Sequence, residues 1–133
     1  KVARAGITVE QLNDVCWKAI NHELGKKFIG FGGKYKLRYE DRPHGVSHLM
    51  GEQEHDGDPF RNYATQPMKV GWMISNEPGL YGDFKIRLNG KTYDETIGIR
   101  IEDNLVMTQK SCINLSCDIP KSVKDIERLM TGN

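Results

Sequence analysis

The stretch FKIRLNGKTYDE, residues 84–95, constrains this chain most: an Asn-Gly pair stands between two flanks in which apolar and polar side chains alternate. Both central positions of a two-residue type I′ turn need positive φ, which Asn89 and Gly90 tolerate, so the stretch predicts a tight antiparallel hairpin. Just beyond it, IGIRIEDNLVMT alternates again, with Ile97, Ile99 and Ile101 on one face and Gly98, Arg100 and Glu102 on the other. Upstream, VGWMISNEPGLY has an apolar core followed by an Asn-Glu-Pro-Gly break. Pro78 has no N–H to give to a ladder, so that strand is expected to end or bulge at Glu77.

Helical periodicity brackets this region. In GITVEQLNDVCWKAINHELGKK, Thr8 and Gln11 form a capping box, and Val9, Leu12, Cys16, Ala19 and Ile20 recur at helical spacing. Gly25 stands where a C′ residue would end the helix, followed by Lys26 and Lys27. FIGFGGKYKLRYEDRP then reads as a loop leading into a short extended piece. The tail PKSVKDIERLM predicts a closing helix, capped by Ser122 with Asp125 at its third position, its apolar stripe being Val123, Ile126, Leu129 and Met130. There is no linker, repeat or low-complexity tract. A length of 133 residues, 38% hydrophobic and 28% charged, suits one domain with one core, an α+β domain spanning 1–133.

A net charge of +1 gives no general attraction to nucleic acid or to an anionic membrane surface. No apolar run approaches the roughly 18 residues that span a bilayer. Cys16, Cys112 and Cys117 form an odd set without a C-x-x-C, so a disulfide framework and a zinc ribbon are both poorly supported, and reduced thiols in a cytoplasmic protein are the expectation. The chain opens KVARAGITVE without an initiator Met, and a trimmed sequence is expected.

Residues able to carry chemistry are scattered. RPHGVSHLMG sets His44 and His48 around a glycine, Glu77 follows 29 residues after His48, and Glu102 another 25 later. Each has a plain structural reading: two turn histidines, a surface turn acid, a solvated strand face bearing Arg100 and Glu102. Together, one imidazole and two isolated carboxylates on or beside strands form a mixed set that suits Mn²⁺, Fe²⁺, Zn²⁺ or Co²⁺, whereas calcium takes oxygens alone. The spacing is not a local metal motif, and the residues alone leave both readings open.

PHGVSHLMG, the His55-Asp56 pair, ISNEPGLY and GIRIEDNLVMT stand in the order and approximate spacing of the prolidase and aminopeptidase P family. These are the pita-bread metallopeptidases, which also include creatinase and methionine aminopeptidase. The closing LSCDIPKSVKDIERLM also resembles a prolidase-type C-terminus, and the likeness runs from about Gly6 to about Met130. The resemblance implies half of a pita-bread fold, a curved antiparallel sheet with flanking helices, as the C-terminal portion of a catalytic domain. It implies hydrolysis of peptide bonds next to proline, with His48, Glu77 and Glu102 as metal ligands and Glu77 also as general base. His44 and His55 would line the substrate pocket and stabilise the tetrahedral intermediate or shuttle a proton, and Arg100 would hold the pocket's acids in place. The implied cofactor is a divalent metal, manganese first and Co, Zn or Fe as alternatives; the implied partners are a proline-containing peptide and either a second copy in a homodimer or an N-terminal segment.

The pattern departs from the family in two places, and one internal coincidence stands beside them. Two aspartate ligands, about eleven residues apart on a strand pair, belong before the first helix and are absent from this sequence; without them the isolated chain is expected to be inactive. Asp83 and Asp94 have the same spacing around Asn89-Gly90, where a plain surface hairpin is the expectation. Val70 replaces a usual proline in KVGWM. Two other functions remain open: a binding module that has lost catalysis, and a creatinase-like amidinohydrolase.

Overall fold

The chain, described here as a computed structural model, is defined for residues 2–31 and 42–132. Helix α1 (Val9–Lys27) starts where the capping box places it: the Thr8 N–H donates to Gln11 Oε1 at 2.9 Å and the Gln11 N–H to Thr8 Oγ1 at 3.0 Å. Its buried face is Val9, Leu12, Asn13, Trp17 and Leu24; Cys16 is half-buried and Ala19 exposed. Gly25 does not end the helix. The backbone stays helical through it to Lys27 and passes directly into strand β1 (Phe28–Phe31), where the sequence suggested a loop. The extended piece expected further along that segment falls largely outside the described residues.

Two antiparallel sheets follow. One has the order β1-β4-β5, with β4 (Gly79–Leu88) and β5 (Lys91–Arg100) forming the expected hairpin; Leu88 pairs with Lys91, and Asn89 and Gly90 take φ of 51° and 75°. The other has the order β2-β3-β6-β7, built from β2 (Leu49–Met50), β3 (Met73–Asn76), β6 (Asp103–Met107) and β7 (Cys112–Asn114). Strand β3 stops at Asn76, one residue before Glu77, as the proline predicts.

The segment IGIRIEDNLVMT is not one strand. It leaves the first sheet after Arg100 and enters the second at Asp103. Gly79 pairs with Arg100 on one side of this break and Asn76 with Asp103 on the other, so the register is the same in both sheets. Between them, Glu77-Pro78 lies opposite Ile101-Glu102, and the Ile101 N–H donates to the Pro78 carbonyl at 3.2 Å. The result is a curved antiparallel ribbon of the expected class.

The core lies between α1 and the four-stranded sheet: Val9 and Leu12 meet Ile74, Leu105 and Met107, with Tyr63, Ala64 and Met68 from the intervening loop and its 3₁₀ turn (Asn62–Thr65). Leu105 and Met107 obey the alternation of β6. Helix α2 (Val123–Thr131) has its Ser122 cap, Asp125 N–H to Ser122 Oγ at 3.1 Å, yet buries no residue, so its predicted apolar stripe is exposed. Ile99 and Ile101, expected on one strand face, together wall an open apolar groove of about 460 Å³ with Ile20, Leu24 and Leu80.

Candidate active site

The segment after His44 runs beside β3. The Glu77 N–H donates to the Val46 carbonyl at 2.8 Å and the Ser75 N–H to the His48 carbonyl at 3.0 Å, before Leu49 and Met50 pair formally with Ile74 and Met73. This pairing sets His48 and Glu77 side by side, with Nε2 and Oε1 3.0 Å apart and both side chains about nine-tenths buried. Ser75 lies beneath them: its Oγ accepts the His48 N–H at 2.9 Å and donates to Glu77 Oε1 at 3.1 Å. The other carboxylate oxygen, Oε2, stands 3.6 Å from Arg100 Nη1 at the end of β5. Glu77 is thus a buried acid beside the His48 imidazole, and the Ser75 hydroxyl and the Arg100 guanidinium offset its desolvation.

His55 packs its ring on His48, centroids 4.1 Å apart and tilted by 39°. Both line a cavity of about 310 Å³ with Asp56, Arg61 and Tyr63. His44 Nδ1 lies 2.7 Å from the Gly45 carbonyl, its ring sits edge-on to Trp17 and Tyr81, and its Nε2 is buried with no hydrogen-bond partner among the described residues. Four of the expected residues are therefore joined by contacts: His48, His55, Glu77 and Arg100. Glu102 is exposed, and the common register makes it the cross-strand neighbour of Glu77. Among the described residues no three His, Cys, Asp or Glu side chains are arranged to hold a metal ion. Asp83 accepts from Thr96 Oγ1 at 2.7 Å and Asp94 pairs with Lys85 at 3.3 Å, as in an ordinary surface hairpin.

The sequence reading missed Ser75, Asn13 and Arg61. Ser75 left a signal: it is the one hydroxyl in an apolar strand, two residues from Glu77 and so on the same face. Next to Glu102, burial pushes the Asp103 carboxyl up, but hydrogen bonds from Lys121, Asn114 and Ser116 outweigh it and hold the group below its ordinary range.

A sequence model described as metallopeptidase family M24 matches residues 1–109. Xaa-Pro aminopeptidase of Haemophilus influenzae is 35% identical over 91 residues, which cover 65% of this chain and 20% of that protein. Mitochondrial intermediate cleaving peptidase 55 of Arabidopsis thaliana is 30% identical over 137 residues, covering all of this chain and 26% of that one. The chain therefore spans about a fifth to a quarter of the length of these curated relatives. Among solved structures, Escherichia coli aminopeptidase P with the inhibitor Pro-Leu superposes with a TM-score of 0.72 at 26% identity, over 99% of this chain and 31% of that one. Aminopeptidase P II of Yersinia pestis gives 0.71 at 29% identity, with the same coverage of both chains. With the family model spanning most of its length, the chain belongs to metallopeptidase family M24.

Proposed function

We propose that this chain forms part of the active site of a divalent-metal peptidase that cleaves the bond next to proline, as an Xaa-Pro dipeptidase or an aminopeptidase P. The observation that carries the reading is the buried contact between His48 Nε2 and Glu77 Oε1 at 3.0 Å. Two donors this close can share one ion at ligand distances of about 2 Å. His48 Nδ1 lies 3.2 Å from the Leu49 carbonyl, the outer-shell partner that fixes a tautomer with Nε2 bare for a metal. The donor set thus fits the group. Glu102, opposite Glu77, would be the third ligand, and two aspartates from residues beyond these 133 would complete a dinuclear shell. Manganese suits such a nitrogen-and-carboxylate set, with Co, Zn or Fe as alternatives.

A divalent metal held there would supply a water of lowered pKa and Lewis-acid polarisation of the scissile carbonyl. The chain's own residues do the rest. Glu77 accepts the proton of the attacking water, and Ser75 and Arg100 hold its carboxylate in one orientation while it does so. His44, whose Nε2 has no hydrogen-bond partner among the described residues, and His55, packed against His48, would face the substrate, where an imidazole N–H would stabilise the developing oxyanion or pass a proton to the leaving nitrogen. The substrate is a proline-containing peptide; the names of the relatives support a peptidase over an amidinohydrolase. The three free thiols favour a cytoplasmic site, and the exposed apolar groove favours cover by an N-terminal segment or by a second copy in a dimer.

The test uses the full-length polypeptide that carries this chain, assayed on Xaa-Pro peptides with Mn²⁺. Glu77→Gln and His48→Ala abolish hydrolysis, and calorimetry shows Mn²⁺ affinity falling with it. Equal hydrolysis in the presence of EDTA overturns the proposal, and failure of the full polypeptide to bind Mn²⁺ leaves only a recognition role.

A further inference from the structure

The segment that carries His48 is gripped by two side chains from elements outside the sheet. The Asn13 side chain, buried on α1, accepts the Val46 N–H through Oδ1 at 2.8 Å. Arg61 donates from Nη2 to the Ser47 carbonyl at 3.2 Å. Gly45 lies between them: a Cβ built there would sit 3.6 Å from Arg61 Nη2 and 3.7 Å from Asn13 Nδ2, so both side chains pack down on its backbone. Arg61 is itself fixed. Its backbone is left-handed at φ 55°, uncommon for a non-glycine residue, and its guanidinium lies 5.9 Å above the buried Tyr63 ring. Among the described residues no carboxylate pairs with it, so its defined hydrogen bond goes to the histidine segment.

Counting the backbone groups shows what this does. The Val46 carbonyl is taken by the Glu77 N–H, and the His48 carbonyl and N–H by the Ser75 N–H and Oγ. Among the described residues, the Val46 N–H and the Ser47 carbonyl are satisfied by Asn13 and Arg61. A short irregular segment whose backbone is satisfied from three elements has little freedom to rotate, and the direction of the His48 ring follows from that backbone.

We infer that Asn13 and Arg61 are positioning residues that act as a clamp on Gly45–Ser47 and thereby aim His48 at Glu77. The inference rests on the peptidase reading for its effect on turnover but not for the clamp itself. In the full-length polypeptide, Asn13→Ala and Arg61→Ala lower kcat on an Xaa-Pro peptide by roughly ten- to a hundredfold, as loss of an outer-shell partner does, with KM close to wild type. Arg61→Lys, which keeps a donor for the Ser47 carbonyl, recovers most of the loss. Hydrogen exchange in a peptide spanning Gly45–Met50 speeds up in both Ala variants, while exchange in β6 does not. Unchanged exchange in that peptide overturns the clamp. So does faster exchange with unchanged kcat, and so does a raised KM at unchanged kcat, which makes Arg61 a substrate contact. If the wild-type polypeptide hydrolyses no Xaa-Pro peptide, the peptidase reading fails by itself, and the clamp stands or falls on the exchange.

Discussion

Two buried serines flank the candidate site, and their environments demand opposite responses to the same substitution. Ser75 is fully buried, and its hydroxyl satisfies the His48 N–H while donating to the Glu77 carboxylate. Ser75→Ala leaves a buried amide without an acceptor, which costs about 1–3 kcal/mol, and removes a donor from a buried charge, worth about 1.5–3 kcal/mol more. The two losses overlap, because Glu77 keeps its contacts with His48 and Arg100, so about 2–4 kcal/mol is expected in sum. Ser47 is equally buried, but its Oγ has no hydrogen-bond partner among the described residues. Ser47→Ala removes an unpaired polar atom, so it changes stability by less than about 1 kcal/mol or is stabilising. Urea denaturation of the two variants in the same polypeptide compares them directly, provided the m-values agree. Equal destabilisation by both substitutions refutes the argument, since it means that burial of the hydroxyl, not its bonding, governs the response.

Two further outcomes concern the ends of the chain. Lys121 Nζ donates to the Ser116 and Ile119 carbonyls at 2.6 and 3.1 Å and pairs with Asp103 at 2.9 Å, both partners being mostly buried. Lys121→Met is expected to cost about 1–3 kcal/mol at pH 7, as a buried charge loses its partner. Because the Asp103 carboxyl is held below its ordinary value of 3.8, that stabilisation is full above this pH and disappears as pH falls through the folded-state value. The gap between variant and wild type in denaturation curves therefore narrows in acid. At the other end, Thr8→Ala breaks the capping box and is expected to cost about 1 kcal/mol, read from the same curves.

Features specified by neighbouring residues were legible in the sequence. The Thr8–Gln11 box, the Asn89-Gly90 turn, the Ser122 cap and the end of β3 before Pro78 all depend on side chains within four positions of the backbone they control. What failed depends on distant partners. Gly25 has C-cap chemistry, but a glycine is also tolerated within a helix, and the pairing of Phe28–Phe31 with β4 draws the chain straight on. Period-two patterning runs from Ile97 to Ile101 and resumes at Leu105 and Met107, with Asp103 between them, across a change of sheet, because period two reports the pleat and not the identity of the neighbouring strand. In the site, His48, Glu77 and Arg100 were readable as residue types. Asn13 and Arg61 were not, since an amide or guanidinium that serves a remote backbone carries no spacing signature; Ser75 left a trace in its place two residues before Glu77.

The common register on either side of the bend sets Glu77 and Glu102, 25 residues apart, at matching positions on the two sides of one ribbon, and it makes a last prediction. On the hairpin side the register is set by the two-residue turn; on the other it is set by Ile74 opposite Leu105, both buried in the core. A one-residue slip of β6 would carry Leu105 and Met107 out to solvent, at about 1.5–3 kcal/mol for each side chain. The core therefore defends the pairing near Glu77, while the distal hairpin, whose β5 buries nothing, does not. Inserting one glycine after Gly90 should be absorbed as a bulge near the turn, leaving peptide hydrolysis and Mn²⁺ affinity of the full polypeptide within about twofold of wild type. The same insertion between Ile101 and Glu102 shifts Glu102 against Glu77 while the core holds β6 in place, and both properties should be lost. If the two insertions are equally damaging, the turn rather than the core sets the register, and Glu102 is placed by the whole length of the hairpin.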